Sequence, residues 1–433
     1  MHASVARRKN ERTAVNIAIV GSGISGLTAA HLLKDQHQVT LFEQNDTLGG
    51  HTATRDVVVE GRRYAIDTGF IVFNDRTYPR FEKLLSRIGM PRQKTEMSFS
   101  VKNLASGLEY NGHTLNTLFA QRRNLLNPRF YGFLAEIVRF NRRCKTLLKD
   151  VVPEHLTVGQ FLQAEGFSKH FAQNYLLPMG AAIWSASLDE FFEFPLDFFL
   201  RFFGNHGLLN LVDRPQWYVI PGGSRSYIAP LLAGIPPERI RLNAGIARVH
   251  RDAGQVTLET VDGRSERFDQ VILACHSDQA LALLAEPSEQ ERSILGAIPY
   301  QMNEVILHTD SSLMPRRLLA WASWNYLLTG AAGESARPAT VTYCMNILQG
   351  IQSDIPFLVT LNPVQPIDPS RVLGRFHYAH PGYTLAGMAA RQRRDDICGV
   401  NRTHFCGAYW YNGFHEDGVH SALDVCHRFG VSL

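Results

Sequence analysis

Residues 16–43 read NIAIVGSGISGLTAAHLLKDQHQVTLFE. The stretch opens on an apolar run, 17–20, and passes through Gly21-Ser22-Gly23-Ile24-Ser25-Gly26 into an amphipathic segment ending at Lys34. A second apolar run, 39–42, ends on Glu43. The order is strand, glycine turn, helix, strand and acid. Gly21 permits the tight turn, Gly23 lets backbone approach a pyrophosphate, and Gly26 lets the helix pack closely on the sheet. The anion would rest at the helix N-terminus, where unpaired N–H groups and the dipole favour negative charge. Glu43 follows Gly26 by 17 residues, near the spacing of about 20 for the acid that holds a ribose hydroxyl. Glycine turns are common, but strand, helix and acid together predict a dinucleotide site in an α/β fold.

Downstream, Gly49-Gly50-His51-Thr52 offers a second close approach of backbone to a ligand. Its position just after the ribose acid favours the larger dinucleotide, FAD. Residues 62–73, RRYAIDTGFIVF, read as a strand and turn returning to that ligand. The chain closes with FCGAYWYNGFHEDGVHSALDVCHRFG. There Phe405 and Cys406 end a strand, Gly407 opens a turn, 409–418 form an aromatic and polar loop, and 419–429 read as a helix. A second helix N-terminus preceded by glycine is a second place for an electron-rich atom.

With 433 residues, two domains are expected. The net charge of +4 tolerates an anionic ligand without demanding one, and no dense Lys/Arg run suggests a nucleic-acid groove. Residues 1–15 are polar and basic with no apolar stretch, so no secretory signal is expected there. No run of about 20 apolar residues could span a bilayer. The six cysteines are scattered without metal-type spacing, as reduced thiols in a cytoplasmic protein would be.

The middle of the chain changes character. Residues 127–150 predict a helix, with Pro128 at its start and Phe130, Phe133, Leu134, Ile137, Phe140 and Leu148 at near-helical spacing. Its remaining positions are rich in Arg and Lys, which suits a solvated face or a patch docking on anionic lipid. FFEFPLDFFLRFF (191–203) holds seven phenylalanines in thirteen positions, more than one helix face buries. Some are therefore expected to line an apolar pocket or to touch a membrane. Residues 217–227, WYVIPGGSRSY, read as a strand into a Gly-Gly turn. Hairpin-like strands follow at 247–251, 256–260 and 267–274, then antiparallel candidates at 304–308, 340–345 and 357–361, with Trp321, Trp324 and Tyr326 among them.

Gly21 to Gly26, Glu43, Gly49-Gly50, the strand exit at 271–275 and the ending from Gly407 to Val419 together resemble the flavin-containing amine oxidase and phytoene desaturase superfamily. NGFHEDGVHSAL looks most like a bacterial branch of FAD-dependent oxidoreductases associated with cyclopropane-fatty-acid-synthase-like enzymes, similar to furan fatty acid desaturases. The resemblance implies a discontinuous, Rossmann-like FAD-binding domain of glutathione-reductase type at 1–89, 216–289 and 391–433. Residues 90–215 and 290–390 would form an α+β substrate domain on a mixed sheet. By position, Gly21, Ser22, Gly23 and Gly26 would hold the pyrophosphate and Glu43 the ribose. Gly49, Gly50, His51 and Thr52 would lie along the cofactor. Val249 would meet the adenine through its backbone, and Gly407 and Ala408 would flank the ribityl chain. At Gly418-Val419, the Val419 amide would face the flavin pyrimidine carbonyl. Two departures stand out: His51 where many relatives have arginine, and Ala408 where many have an acid. The same resemblance suggests a lipid-methylating partner enzyme and a place at the inner membrane face.

The cofactor accepts hydride, so the protein must present a C–H bond and exclude water. Carbon beside a double bond is a better hydride donor than saturated carbon, because developing positive charge is delocalised. An unsaturated or methyl-branched fatty acyl chain is therefore the first expected substrate, held by the phenylalanine cluster and the aromatics at 321–326. His415 and Glu416 are the acid–base candidates, against a capping role for 414–417. Amine oxidation, with Tyr409, Trp410 and Tyr411 as an aromatic cage, is the second reading. Double-bond isomerisation, or lipid or partner binding without turnover, is the third.

Overall fold

The computed structural model describes residues 14–433, except 150–155, 185, 211–212, 332 and 338. The basic stretch at the start and the end of the predicted helix at Asp150 thus fall outside the described residues. A five-stranded parallel sheet runs in the order Ile240–Arg241, Gln38–Phe42, Asn16–Val20, Gln270–Leu273, Thr403–Phe405. The central strands Asn16–Val20 and Gln270–Leu273 are apolar after their first residue because both faces of the sheet are covered. Ile17 and Ile19 face the helices Ile24–Leu33 and His415–Arg428. Ala18 and Val20 face a three-stranded antiparallel sheet of Ile246–Arg251, Val256–Thr260 and Ser265–Phe268. Strands from three distant stretches meet here, so the glycine turn and the last helix share one end of the sheet.

A seven-stranded mixed sheet runs Val372–Pro381, Tyr300–His308, Leu358–Leu361, Val341–Cys344, Trp324–Leu328, Phe99–Asn103, Leu108–Asn111. All its pairs are antiparallel except Trp324–Leu328 with Phe99–Asn103. One face of it, including Val305, Leu307, Tyr326 and Val359, shares a core with helices drawn from 128–205. The expected Rossmann-like sheet with a second, mixed sheet is the architecture found.

Local differences have local causes. The single strand expected over 267–274 is two, because Asp269 turns out to accept a hydrogen bond from the Asn16 amide at 2.7 Å. No expected element covers the ten-residue strand Val372–Pro381. It is an edge strand whose residues are mostly half-buried, so it lacks the apolar alternation that marks a covered strand. The phenylalanine cluster divides at Pro195 into two helices, Leu188–Phe192 and Leu196–Asn205. Two helices offer two faces, and six of the seven rings are buried, packed around Trp184 and Phe140. Most of the cluster is therefore core, and Phe202 is the ring of the seven that lines a cavity. Among the described residues no helix is long and apolar enough to cross a membrane, and the six cysteines are free.

Candidate functional site

The ends of both sheets border one cavity of about 1190 Å³. Its polar end is built by the opening motif. Gly21 has φ 104°, and a Cβ there would press on the Ala274 carbonyl. A Cβ on Gly26 would collide with the Gly21 carbonyl, so this glycine sets how closely helix and turn approach rather than lining the cavity. Gly23 does line it, and a Cβ there would meet nothing within 4 Å. Open space in front of a bare backbone at a helix N-terminus is what a pyrophosphate needs. Gly49 and Gly50, both with positive φ, bring the next loop against the turn, Gly50 facing the Gly23 Cα.

Glu43 is buried on the cavity wall. Its Oε2 accepts from the Ser22 amide (3.1 Å) and hydroxyl (2.5 Å), and its Oε1 from the Asn45 amide (3.0 Å) and side chain (2.8 Å). The Ser22 hydroxyl in turn accepts from the Gly49 amide at 3.1 Å. Acid, turn and Gly-Gly loop are thereby one hydrogen-bonded unit.

Three placements correct the expected set. Val249 lies outside the cavity, and its carbonyl accepts from the Ala285 amide. Ala244, Gly245 and Ile246, where this strand begins, line the cavity instead. The last helix starts at His415, four residues earlier than expected, so Val419 is its fifth residue. A fifth amide belongs to the intrahelical ladder, and the Gly418 amide already bonds the Phe414 carbonyl at 3.0 Å. The helix leaves without intrahelical partners the amides of 415–417. Gly418 lies off the cavity, and its carbonyl accepts from Ser25 at 2.9 Å. Gly407 and Ala408 line the cavity as expected.

The acid–base candidates fare differently. Glu416 does not line the cavity. Its carboxylate caps the helix Pro79–Arg87, accepting from the Phe81 amide at 2.9 Å and the Arg80 amide at 3.1 Å, and pairs with the Arg80 side chain. The carboxylate thus serves as a helix cap set off the cavity wall. His415 lines the cavity but is wedged: its ring stacks on Phe70 at 3.5 Å, and its Nε2 meets the Tyr227 hydroxyl (2.8 Å) and Thr52 Oγ1 (3.2 Å). Burial holds it well below the usual histidine range.

His51, expected beside the cofactor, sits among rings from distant parts of the chain. Its ring lies 5.9 Å from His276, 5.4 Å from His380 and 5.3 Å from Tyr378. Burial, then the two neighbouring imidazoles, push it down to about 3, although it hydrogen-bonds the Ala379 carbonyl. Burial takes His380 down to about 4. Nε2 of His51 is buried with no partner among the described residues. His276 stands just past the end of a parallel strand, where ligands of open α/β sheets bind, and could have been found on that ground. His380 lies on the edge strand Val372–Pro381 and carries no such signal.

Beyond these rings the wall turns apolar, with Tyr175, Met179, Ile183, Trp184, Trp324 and Tyr383. Phe202 alone of the phenylalanine cluster joins it, as does Trp324 alone of the 321–326 aromatics. Of the proposed cage only Tyr409 lines the cavity; Tyr411 stacks on His420, and Trp410 lies under Arg394. The carboxylates on the wall, Glu43 and Asp46, are both at the glycine-turn end, whereas Arg214 borders the apolar part. Trp184 Nε1, Trp324 Nε1 and the hydroxyls of Tyr383 and Tyr409 are buried and unpartnered among the described residues. Such groups cost about 1–3 kcal/mol each unless a ligand or water meets them. The cradle at Gly23, the Glu43 unit and these donors fit a dinucleotide with a second molecule beyond it.

A family model described as flavin containing amine oxidoreductase matches residues 24–332. The L-amino-acid oxidase of Siganus canaliculatus is 24% identical over 319 residues, which cover 69% of this chain. The match spans 58% of that oxidase's own length. Among solved structures, the CLA-producing fatty acid isomerase from P. acnes superposes with TM-score 0.67 at 16% identity, covering 96% of this chain and 99% of that one. Cyclohexylamine oxidase from Brevibacterium oxydans IH-35A gives TM-score 0.68 at 16% identity, covering 96% and 100%. At these identities the two structures show a shared fold.

Proposed function

The chain belongs to the flavin-containing amine oxidoreductase family, a family of FAD-dependent oxidoreductases, and from that premise we propose that it dehydrogenates an unsaturated or methyl-branched fatty acyl chain. The observation that carries this reading is the distribution of charge along the cavity. Its far part is aromatic and aliphatic, has no carboxylate to receive an ammonium, and carries Arg214 at its border. An acyl chain would bury its carbons there and offer its carboxylate or phosphate to a guanidinium.

The residues that would hold FAD are Gly21, Ser22, Gly23, Glu43, Gly49, Gly50, Thr52, Gly407 and Ala408, with Ile246 in place of Val249. Bound FAD supplies a two-electron acceptor for hydride. The chain supplies the remainder. Its apolar wall orients the C–H bond and keeps water out. Desaturation also releases a proton, and the acceptor in this reading would be Nε2 of neutral His51, which is buried without a partner among the described residues. His51 thus replaces His415 and Glu416 as the acid–base group.

The test is anaerobic mixing of the yellow protein with a panel of fatty acids and phospholipids and a panel of amines. Bleaching of the flavin absorbance by unsaturated or branched acyl chains is expected. Bleaching by amines or amino acids, with none by lipids, would overturn the reading in favour of amine oxidation.

A further inference from the structure

The cavity wall at Tyr110 and Gly112 runs directly into residues 113–126. This segment presents apolar side chains to solvent: Leu115 is 77% exposed and Leu126 91%. Leu125 and Tyr131 are about half exposed beside them. The Tyr131 hydroxyl donates to the Leu125 carbonyl at 3.0 Å, its ring lies 5.9 Å from Phe119, and the Phe119 amide bonds the Leu115 carbonyl, so the stretches around Leu115 and around Leu125 and Leu126 are neighbours. A scattered leucine is ordinary, whereas a contiguous set marks an interaction surface.

The adjoining helix, Pro128–Leu147, continues the surface. Tyr131, Ala135, Val138, Arg142 and Lys145 are spaced by four and three residues and form one exposed line, opposite the buried Phe133, Ile137 and Phe140. The line is apolar near the leucines and basic at its far end. Residues 112–149 contain eight Arg or Lys against one acid, Glu136. Arg139 and Arg143 pair with Glu136 and Glu165. Arg129, Arg142 and Lys145 have no ion pair among the described residues.

We propose that this face docks on an anionic bilayer, the leucines entering the boundary between headgroups and acyl chains while the basic end rests on the headgroups. Exposed apolar area beside unpaired positive charge is what such a surface attracts. The proposal rests on the acyl-substrate reading in one respect: Gly112 borders both cavity and patch, so docking would present the chamber to its substrate.

Sedimentation of the FAD-loaded protein with vesicles tests it. Binding is expected to phosphatidylcholine vesicles containing phosphatidylglycerol and not to phosphatidylcholine alone, and added salt should weaken it. Leu115→Asp with Leu126→Asp should reduce binding at least about tenfold. Both side chains are exposed, so flavin spectrum and melting midpoint should stay unchanged. No binding by the wild type, or equal binding by the variant, would overturn the proposal. So would a dimer that the two substitutions turn into a monomer without vesicle binding. Flavin bleaching by a soluble short-chain unsaturated acyl compound reports on the chamber alone. Bleaching without vesicle binding sinks the docking proposal only, and vesicle binding without bleaching sinks the substrate reading only.

Discussion

The Ser25 hydroxyl donates to the Gly418 carbonyl at 2.9 Å, joining two helix starts separated by 393 residues. A Cβ on Gly418 would lie 2.5 Å from Ile24 Cγ2 and 3.1 Å from Ser25 Oγ. The helices Ile24–Leu33 and His415–Arg428 can therefore aim their N-termini at one cavity only while position 418 stays bare. Gly418→Ala is expected to cost about 1–3 kcal/mol through overpacking and to lower the fraction of protein purified with flavin. Melting midpoint and the ratio of flavin to protein absorbance check both. A yellow variant of unchanged midpoint would show that the helix starts are not coupled in this way.

Glu43 gives a second prediction. Four donors converge on its carboxylate, two from Ser22 and two from Asn45. Glu43→Gln keeps the shape but replaces one acceptor oxygen with a donor facing donors. Bonds to a charged group contribute about 1.5–3 kcal/mol, so FAD affinity should fall by about tenfold to a hundredfold, read by titrating the apoprotein. Unchanged affinity would mean that the turn holds its form without the acid.

The sequence showed most at short range. The turn at 21–26, the acid at 43 and the loop at 49–52 lie within one βαβ unit, where spacing translates directly into geometry. Long-range placement was less legible. Val249 and Val419 were each misplaced by three or four residues, because strand and helix starts are set by capping contacts such as Asp417 with the Phe414 amide at 2.9 Å. The imidazole cluster combines residues 51, 276 and 380, and no local pattern announces a neighbourhood that only folding assembles.

The two candidate acid–base sites separate under mutation. Glu416 caps a helix away from the cavity, and burial raises its carboxyl despite the amides and Arg80 that oppose this. Glu416→Gln should lower stability by about 1–3 kcal/mol and leave the anaerobic bleaching rate constant nearly unchanged. His51→Gln should keep bound FAD and slow bleaching by about a hundredfold to ten-thousandfold. Stopped-flow bleaching of the two variants decides between them, and the opposite pattern would restore Glu416 as the catalytic group.

Acidification provides the last test, with two sets of groups acting in opposite directions. Burial pushes His51 down to about 3, and His206, His308, His380 and His404 to about 4. As pH falls through 6.5 the unfolded chain takes up protons that the folded one refuses, so stability present above 6.5 is lost toward pH 4. Burial also raises Asp67 to about 6 and Asp417 to about 7. For these the folded chain holds the proton more tightly, so their contribution is full below the unfolded value near 4 and is lost as pH rises through 6 to 7. The histidines outnumber the carboxyls, so the melting midpoint should change little or rise from pH 8 to 6.5, then fall steeply below 6. His308 lies outside the cavity and bonds Thr360 Oγ1 at 2.7 Å. His308→Gln should therefore flatten the acid limb by about one proton's worth of slope, measured from unfolding free energies at several pH values. An acid limb of unchanged steepness would mean that His308 does not stay neutral in the folded chain.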